Sequence, residues 1–157
     1  MTPSCPFCDK LAELDRVADN DDNFEVVRHF ANSVAFLGPW QYYHGYCILV
    51  ARRHAGELSQ LPPFVRHGFF NEMCKLAKAI ETCFKPHKLN YELLGNQMPH
   101  LHWHIFPRRA DDPDSLKPVW LALERAERDE QVRLRLQTGP ISRAETIALL
   151  QEYEWIG

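Results

Sequence analysis

The chain has 157 residues, of which 45% are hydrophobic and 25% charged, values that fit one globular domain of ordinary size. Its 18 Lys and Arg residues against 21 Asp and Glu give a net charge of -3, so we expect no nucleic-acid polymer as a partner. A small nucleotide stays possible, because it needs only a few well-placed donors. The apolar runs are shorter than the ~20 residues of a membrane span, and no signal peptide is recognisable, so we expect a soluble, cytoplasmic protein without membrane contact.

Five segments are short, apolar or β-branched and bounded by turn residues, which predicts five strands. They comprise residues 24–28, 33–37, 46–51, 89–94 and 101–106. Between the third and the fourth, apolar residues recur every three or four positions from Pro63 to Phe84, shortly before Pro86. This spacing predicts one helix of about twenty residues.

The C-terminal part of the chain has a helical composition. Residues 117–135 are rich in Leu, Glu and Arg, and Ser142 with Glu145 forms a capping box that opens a helix through Leu150. The fold class is therefore α+β, with a five-stranded antiparallel sheet, a long helix between strands three and four, and a helical C-terminal tail. We expect residues 1–109 to form the main domain and residues 110–157 to be a helical extension packed on it.

The five cysteines are an odd number, which argues against a secreted disulfide framework and favours reduced thiols. Cys47 lies in a strand pattern and Cys74 and Cys83 in a helical one, so we expect all three to be buried. Cys5 and Cys8 stand apart in the motif Cys-Pro-Phe-Cys. Two thiolates at this spacing can bind one tetrahedral metal, and a redox role or no function are the alternatives.

Residues 100–105, His-Leu-His-Trp-His-Ile, alternate histidine with apolar residues. Because successive side chains of a strand point to opposite faces, His100, His102 and His104 are expected on one face. Three interpretations stay open: histidines without a role, three ligands of one metal, or nucleophilic catalysis. In the last, a neutral imidazole attacks phosphorus and forms a phosphoramidate, and an ordinary pKa of ~6.5 keeps enough neutral histidine for this at pH 7.

Residues 95–108, Gly-Asn-Gln-Met-Pro-His-Leu-His-Trp-His-Ile-Phe-Pro-Arg, resemble the signature of the histidine triad (HIT) family. The triad, the polar loop before it and the Pro-Arg after it occur together. The resemblance extends from Cys5 to about Arg109 and includes the segment from Gly45 to His54; residues 110–157 carry no motif of the family. It implies a nucleotide phosphohydrolase or nucleotidyl transferase with a covalent nucleotidyl-histidine intermediate, acting on dinucleoside polyphosphates or nucleoside phosphoramidates.

The resemblance also implies roles for four residues. His102 would be the nucleophile, and His104 would contact a phosphate oxygen and help the leaving group to depart. Asn96 and Gln97 lie where family members hydrogen-bond phosphate oxygens, and prepositioned donors there stabilise charge that grows on these oxygens. The alternative for these two residues is a plain turn, because the loop is shorter than is usual in the family.

Two positions depart from the family pattern. Many members place an Asp directly after the second strand to hold the ribose, and this chain has Gly38 there. The histidine common after the glycine of the third strand is Tyr46. These departures leave the phosphorus chemistry in place, while the base, the leaving group and the final acceptor stay open.

One branch of the family, which resembles bacterial diadenosine polyphosphate hydrolase-like HIT proteins, contains zinc. Its ligands correspond to Cys5, Cys8, His54 and His100 of this chain. Four protein ligands leave no open position, so the zinc would be structural. A protein that stores metal through these groups is a further possibility.

The family also implies a homodimer, paired through sheet edges or through the long helix. The apolar helical face at residues 69–84 would offer area for it, and an exposed strand edge favours pairing as well. The alternative to an enzyme is a non-catalytic HIT-like protein that binds a nucleotide or a partner.

Overall fold

The computed structural model describes residues 5–16 and 25–155. They form a five-stranded antiparallel sheet with the order β1-β2-β3-β5-β4 and helices on both faces, which confirms the predicted α+β class. The strands are β1 Val26–His29, β2 Ser33–Leu37, β3 Cys47–Ala51, β4 Lys88–Glu92 and β5 His102–Arg108. The helices are α1 Pro6–Leu14, α2 Pro63–Phe84, α3 Val119–Arg128, α4 Glu130–Gln137 and α5 Arg143–Gln151.

The long helix α2 covers one face of the sheet. Proline at its first position fits the start of a helix, and its apolar side is fully buried at Phe69, Leu76 and Ile80. These side chains pack with Leu49 and Ile105 of the sheet in one core. We expected this apolar side to be available to a second copy of the chain. That expectation is wrong for these side chains, because their own sheet already buries them.

The opposite face of the sheet carries the histidines. The register places Val34, Val50 and His102 in one row and Phe36, Ile48, His104 and Glu92 in the next. Helix α1 packs on one side of this face, with Leu11 in a core that also contains Val34, Phe36 and Val50. Helices α3 and α4 pack on the other side, around Phe106. His102 and His104 therefore lie between two groups of helices.

The helical composition of residues 117–135 corresponds to two helices, because Asp129 has an extended backbone and its carboxylate accepts hydrogen bonds from the backbone of Gln131 and Val132. This side chain caps α4 and separates it from α3. Helix α1 was not expected, although Phe7, Leu11 and Leu14 recur at helical spacing. The capping box at Ser142 is confirmed as the start of α5.

Strand β2 has the predicted boundaries, and the boundaries of the other strands differ from the predicted ones by one or two residues. The predicted start of the first strand at Phe24 lies outside the described residues. All five cysteines are free; Cys47 is buried and Cys83 partly buried, but Cys74 is exposed on α2, so its expected burial is wrong. No helix in the described ranges has the length and apolar character that a membrane crossing needs.

Candidate catalytic and metal site

Two cysteines and two histidines from distant parts of the chain meet at one end of the sheet. Cys5 precedes α1 and Cys8 lies in its first turn, while His54 follows β3 and His100 precedes β5. One ligand atom from each residue lies within 4.8 Å of all the others. The structure thus brings together all four residues that the sequence predicted as metal ligands.

The distances in this cluster fit a tetrahedral ion. Nδ1 of His100 lies 3.3 Å from Sγ of Cys5 and 3.2 Å from Nδ1 of His54, and Sγ of Cys8 lies 3.3 Å from the latter. Zinc bonds of ~2.3 Å to sulfur and ~2.0–2.1 Å to nitrogen require separations of about 3.4 Å between two nitrogens and about 3.6 Å between sulfur and nitrogen. The agreement within a few tenths of an ångström shows that the cluster can hold such a metal.

The surroundings of the cluster support the same chemistry. Nε2 of His100 donates to the carbonyl of Ala51 at 2.7 Å, which leaves Nδ1 free to bind a metal. Desolvation and the neighbouring Cys5 raise the pKa of the Cys8 thiol. A bound cation reverses that tendency, because it favours the thiolate.

His102 begins β5, and its ring is oriented by the backbone. Its Nδ1 lies 2.6 Å from the carbonyl oxygen of His100. Since a carbonyl oxygen only accepts hydrogen bonds, Nδ1 carries a proton. In the neutral form of the ring, the lone pair that can attack phosphorus is therefore on Nε2.

His104 is the next residue on the same face, with its ring centroid 4.8 Å from that of His102 and nearly perpendicular to it. Burial and the neighbouring His102 lower the pKa of His104 to about 4, so the ring is neutral at pH 7. Its Nδ1 lies 2.7 Å from the hydroxyl of Tyr46. The neutral imidazole of His104 thus lies beside the ring of His102.

His100 belongs to the metal cluster and not to this pair. All three histidines were expected on one face of a strand. Only His102 and His104 lie in β5, and His100 precedes it. Asn96 and Gln97 are not joined to the histidines. Both are exposed in the loop before β5, and in the described part of the chain neither side chain has a hydrogen-bond partner.

Two aromatic residues that the sequence analysis did not single out flank the histidines. The ring of Phe7 lies 5.0 Å from His102 and 5.6 Å from His100. Trp120 of α3 lies 5.2 Å from His104, and its indole nitrogen donates to Glu92. Burial raises the pKa of the Glu92 carboxyl. The helical spacing of Phe7 was the available signal; nothing local marked Trp120.

A cleft of about 210 Å³ lies between α1 and the sheet, and neither His102 nor His104 is among its lining residues. Ile48, which is paired with His104 in the sheet, forms part of its wall. Lys10 places its ammonium 4.1 Å from the centre of the Phe36 ring, and burial lowers the pKa of this lysine. The walls of the cleft combine aromatic rings with the cation of Lys10 and the ion pair between Glu25 and Arg143.

Gly38 is the position at which the family resemblance led us to expect the loss of a carboxylate, and the ring of Tyr46 lies against it. A Cβ atom built on Gly38 would lie 2.2 Å from the ring of Tyr46. The tyrosine ring thus takes the place of a side chain at position 38.

Comparisons with known proteins agree with this arrangement. A sequence model described as the HIT domain matches residues 20–111, more than half of the chain. The protein named Protein hit from Bacillus subtilis (strain 168) is 26% identical over 122 residues, 74% of this chain and 79% of that protein. A Zn-bound histidine triad family protein from Mycobacterium smegmatis has a TM-score of 0.63 at 18% identity, over 94% of this chain and 91% of its own.

A histidine triad protein from Bradyrhizobium japonicum gives a TM-score of 0.57 at 24% identity, over 76% of this chain and 97% of its own. At these identities the two solved structures establish a common fold. The match to the domain model adds the sequence evidence, since its range includes His54 and the whole run from His100 to His104. This chain is a member of the histidine triad (HIT) family.

Proposed function

We propose that the chain is a nucleotide phosphohydrolase or nucleotidyl transferase that forms a covalent nucleotidyl-histidine at His102. The observation that carries the proposal is the hydrogen bond from Nδ1 of His102 to the carbonyl of His100, 2.6 Å long. It leaves the Nε2 lone pair available for attack on phosphorus. Family membership supports the same chemistry, because the histidine triad is the feature that defines the family.

The reaction divides into two displacements at phosphorus. Nε2 of His102 forms a P–N bond, and the P–O bond to the leaving group breaks and gives its electron pair to the leaving oxygen. A polyphosphate leaving group is a stable anion and needs no proton. Water or a second acceptor then attacks phosphorus, releases a proton to solvent, and returns the P–N electron pair to Nε2.

The charge on the His102 adduct is stabilised by the same backbone contact. Once Nε2 is bonded to phosphorus the ring is cationic, and its Nδ1–H still points at the carbonyl of His100. His104, 4.8 Å away between ring centroids, contacts a phosphate oxygen in this scheme. Asn96 and Gln97 would add donors to the non-bridging oxygens in this scheme.

The substrate class we propose is a dinucleoside polyphosphate or a nucleoside phosphoramidate. The cleft between α1 and the sheet would supply the space for the rest of the molecule, with Phe7, Phe36, the cation of Lys10 and the carboxylate of Glu25 in its walls. An amine leaving group from a phosphoramidate would take its proton from water.

The four-residue cluster is proposed as a structural zinc site. Two thiolates and two imidazoles are a donor set that zinc favours, and four protein ligands leave no position for water or substrate. A related fold from Mycobacterium smegmatis is described as Zn-bound. In this chain Cys5, Cys8, His54 and His100 would hold the metal, which would fix α1 against β3 and β5.

The competing proposal is a HIT-like protein that binds a nucleotide or a partner without turnover. Two observations favour it: only 7% of the His102 side chain is exposed, with Phe7 packed against it, and Gly38 supplies no carboxylate. Phe7 thus lies against the ring that a substrate would have to approach. This hypothesis predicts ligand binding without a covalent adduct.

A trapping experiment distinguishes the two proposals. The protein is mixed with a panel of dinucleoside polyphosphates and nucleoside phosphoramidates, quenched at high pH, and analysed by mass spectrometry for product and adduct. We expect a nucleotidyl adduct on His102, and we expect His102→Asn to lose turnover by at least ~100-fold while it still binds nucleotide. His104→Ala should slow turnover less, and His67→Asn on the α2 surface is the matched control. Near-normal rates in His102→Asn contradict the proposed nucleophile.

A homodimer is proposed through the β4 edge and the adjacent surface of α2. Phe70 on α2 and Tyr91 and Leu94 at or after β4 are exposed large apolar side chains. An open strand edge with apolar neighbours favours pairing with a second copy. Light scattering at micromolar concentration should give twice the chain mass; a monomeric mass contradicts this assembly.

A further inference from the structure

The hydroxyl of Tyr46 is held in place from two sides. Its ring is 1% exposed and stacks on Phe106, with the centroids 4.0 Å apart and the planes 8° from parallel. On the other side is Gly38, where even a methyl group would overlap the ring. The tyrosine therefore has one available position, in which its hydroxyl lies 2.7 Å from Nδ1 of His104.

The direction of this hydrogen bond follows from the chemistry of the two groups. Burial raises the pKa of Tyr46 well above its usual value, so the hydroxyl keeps its proton. His104 is the one hydrogen-bond partner of this hydroxyl within the described ranges. A neutral imidazole carries one N–H, and the arrangement is best satisfied when the phenol donates and Nδ1 accepts. The proton of His104 then resides on Nε2.

We infer that Tyr46 is a positioning residue that fixes His104 as the Nε2–H tautomer, so that His104 presents a hydrogen-bond donor beside the Nε2 lone pair of His102. The two neighbouring imidazoles thereby have opposite tautomers. The carbonyl of His100 sets one, and the Tyr46 hydroxyl sets the other.

The kinetic consequence rests on the proposed function. A donor at Nε2 of His104 can bind an oxygen of the reacting phosphate, whereas the other tautomer would direct a lone pair at that oxygen and repel it. Gly38 contributes to this arrangement, because its lack of a side chain leaves room for the Tyr46 ring. Gly38 stands in place of the Asp with which many family members hold the ribose, and the same glycine makes room for Tyr46.

Nitrogen NMR tests the inference without any assay of activity. Histidine is labelled with ¹⁵N, and long-range ¹H–¹⁵N spectra at pH 7 report which ring nitrogen carries the proton. The His104 signals are assigned by their loss in His104→Gln. We expect an unprotonated, hydrogen-bonded Nδ1 and a protonated Nε2 in the wild-type protein. A wild-type His104 with its proton on Nδ1 overturns the inference, whatever the variants do.

Tyr46→Phe removes only the hydroxyl and keeps the stacked ring. We expect its His104 nitrogen signals to move toward a mixture of tautomers, while those of His102 stay unchanged. Tyr43→Phe is the control, because Tyr43 is also buried and packs on Phe106, 5.5 Å between centroids, without contacting His104 through its hydroxyl. Unchanged His104 signals in a folded Tyr46→Phe protein contradict the inference.

Turnover provides a second reading. We expect kcat of Tyr46→Phe to fall about tenfold, the effect of one lost hydrogen bond, with KM within about twofold of wild type. Tyr43→Phe should keep both constants. A normal kcat in Tyr46→Phe overturns the role in positioning. A wild-type protein without any turnover contradicts the proposed function, and the tautomer of His104 is then decided by the NMR spectra alone.

Discussion

The guanidinium of Arg108 and the carboxylate of Asp112 form an ion pair of 3.0 Å in which both side chains are almost completely buried, with 3% and 4% exposed. Arg108 also donates to the side chain of Asn90 and to the carbonyls of Asp114 and Lys117, at 2.6 to 2.9 Å. The end of β5 is thereby tied to the segment that leads into α3. Because Trp120 of α3 packs on His104, this ion pair helps to set the environment of the candidate site.

Replacing Arg108 with Ala should destabilise the protein by about 3–5 kcal/mol, because it leaves a buried carboxylate without its partner. Urea denaturation followed by circular dichroism measures the change. Arg128→Ala is the control, since Arg128 pairs with Glu124 at the surface with 79% and 54% exposed. An exposed pair contributes at most ~1 kcal/mol. Equal effects of the two substitutions would contradict the importance of the buried pair.

The purified protein should contain about one zinc per chain, and a strong chelator should lower its melting temperature, because binding to the folded state adds to stability. Cys5→Ser with Cys8→Ser should have the same effect as chelation. Cys74→Ser, on the exposed side of α2, should change neither metal content nor melting temperature. Elemental analysis that finds no zinc after expression with ample metal contradicts the site. If metal removal stops turnover without lowering stability, the metal is catalytic.

Gly38→Ala should destabilise the protein by about 1–3 kcal/mol, as an added methyl group does in a close-packed region. The new Cβ would lie 2.2 Å from the Tyr46 ring, which is held against Phe106 and cannot retreat. Gly56→Ala provides the control, because its nearest neighbour would be 3.8 Å away. Thermal melting of both variants is sufficient. If Gly38→Ala and Gly56→Ala have the same melting temperature, the ring of Tyr46 is not confined.

Stability should decrease as the pH falls from ~6.5 to about 4. The pKa of His104 is about 4 in the folded protein, lowered first by burial and then by the neighbouring His102. In the unfolded chain it is ~6.5, so the unfolded state takes up the proton first and the folded state loses up to about 3 kcal/mol across this window. Above pH ~6.5 the effect is absent.

His104→Gln isolates this contribution, because glutamine does not titrate. Tyr46 and Glu92 also face His104. The Tyr46 hydroxyl stays protonated throughout this window, and Glu92 is present in both proteins. We measure the denaturant midpoints of the wild type and the variant from pH 4 to pH 8. The difference between the two midpoints should become smaller as the pH falls. Parallel profiles would show that the folded protein accepts the proton on His104 without cost.

The strand pattern and the metal ligands could be predicted from the sequence because each depends on a local or chemical signal. Alternating apolar residues mark strands, and thiols and imidazoles at fixed positions point to a metal wherever the chain later brings them. The family resemblance added the grouping: it implied that Cys5 and His100 bind one metal, although 95 positions separate them.

The remaining features depend on packing between distant segments. Tyr46 could be identified as a departure from the family pattern, but its contact with His104 follows only from the fold. Trp120 lies in a segment without a family motif, and it reaches His104 because Arg108 positions the preceding loop. Asp129 interrupts a composition that is helical on both sides, so composition alone could not place the break.

The short segment from Cys5 to Cys8 serves two neighbouring sites at once. Its two thiols face the candidate metal, and Phe7, between them in sequence, lies on His102. One residue of an α-helix corresponds to a rotation of about 100°. Inserting or deleting a single residue here would therefore turn either the sulfurs or the aromatic ring away from its target. Single side chains in this turn can be substituted independently, whereas a change in the length of the turn would alter both sites.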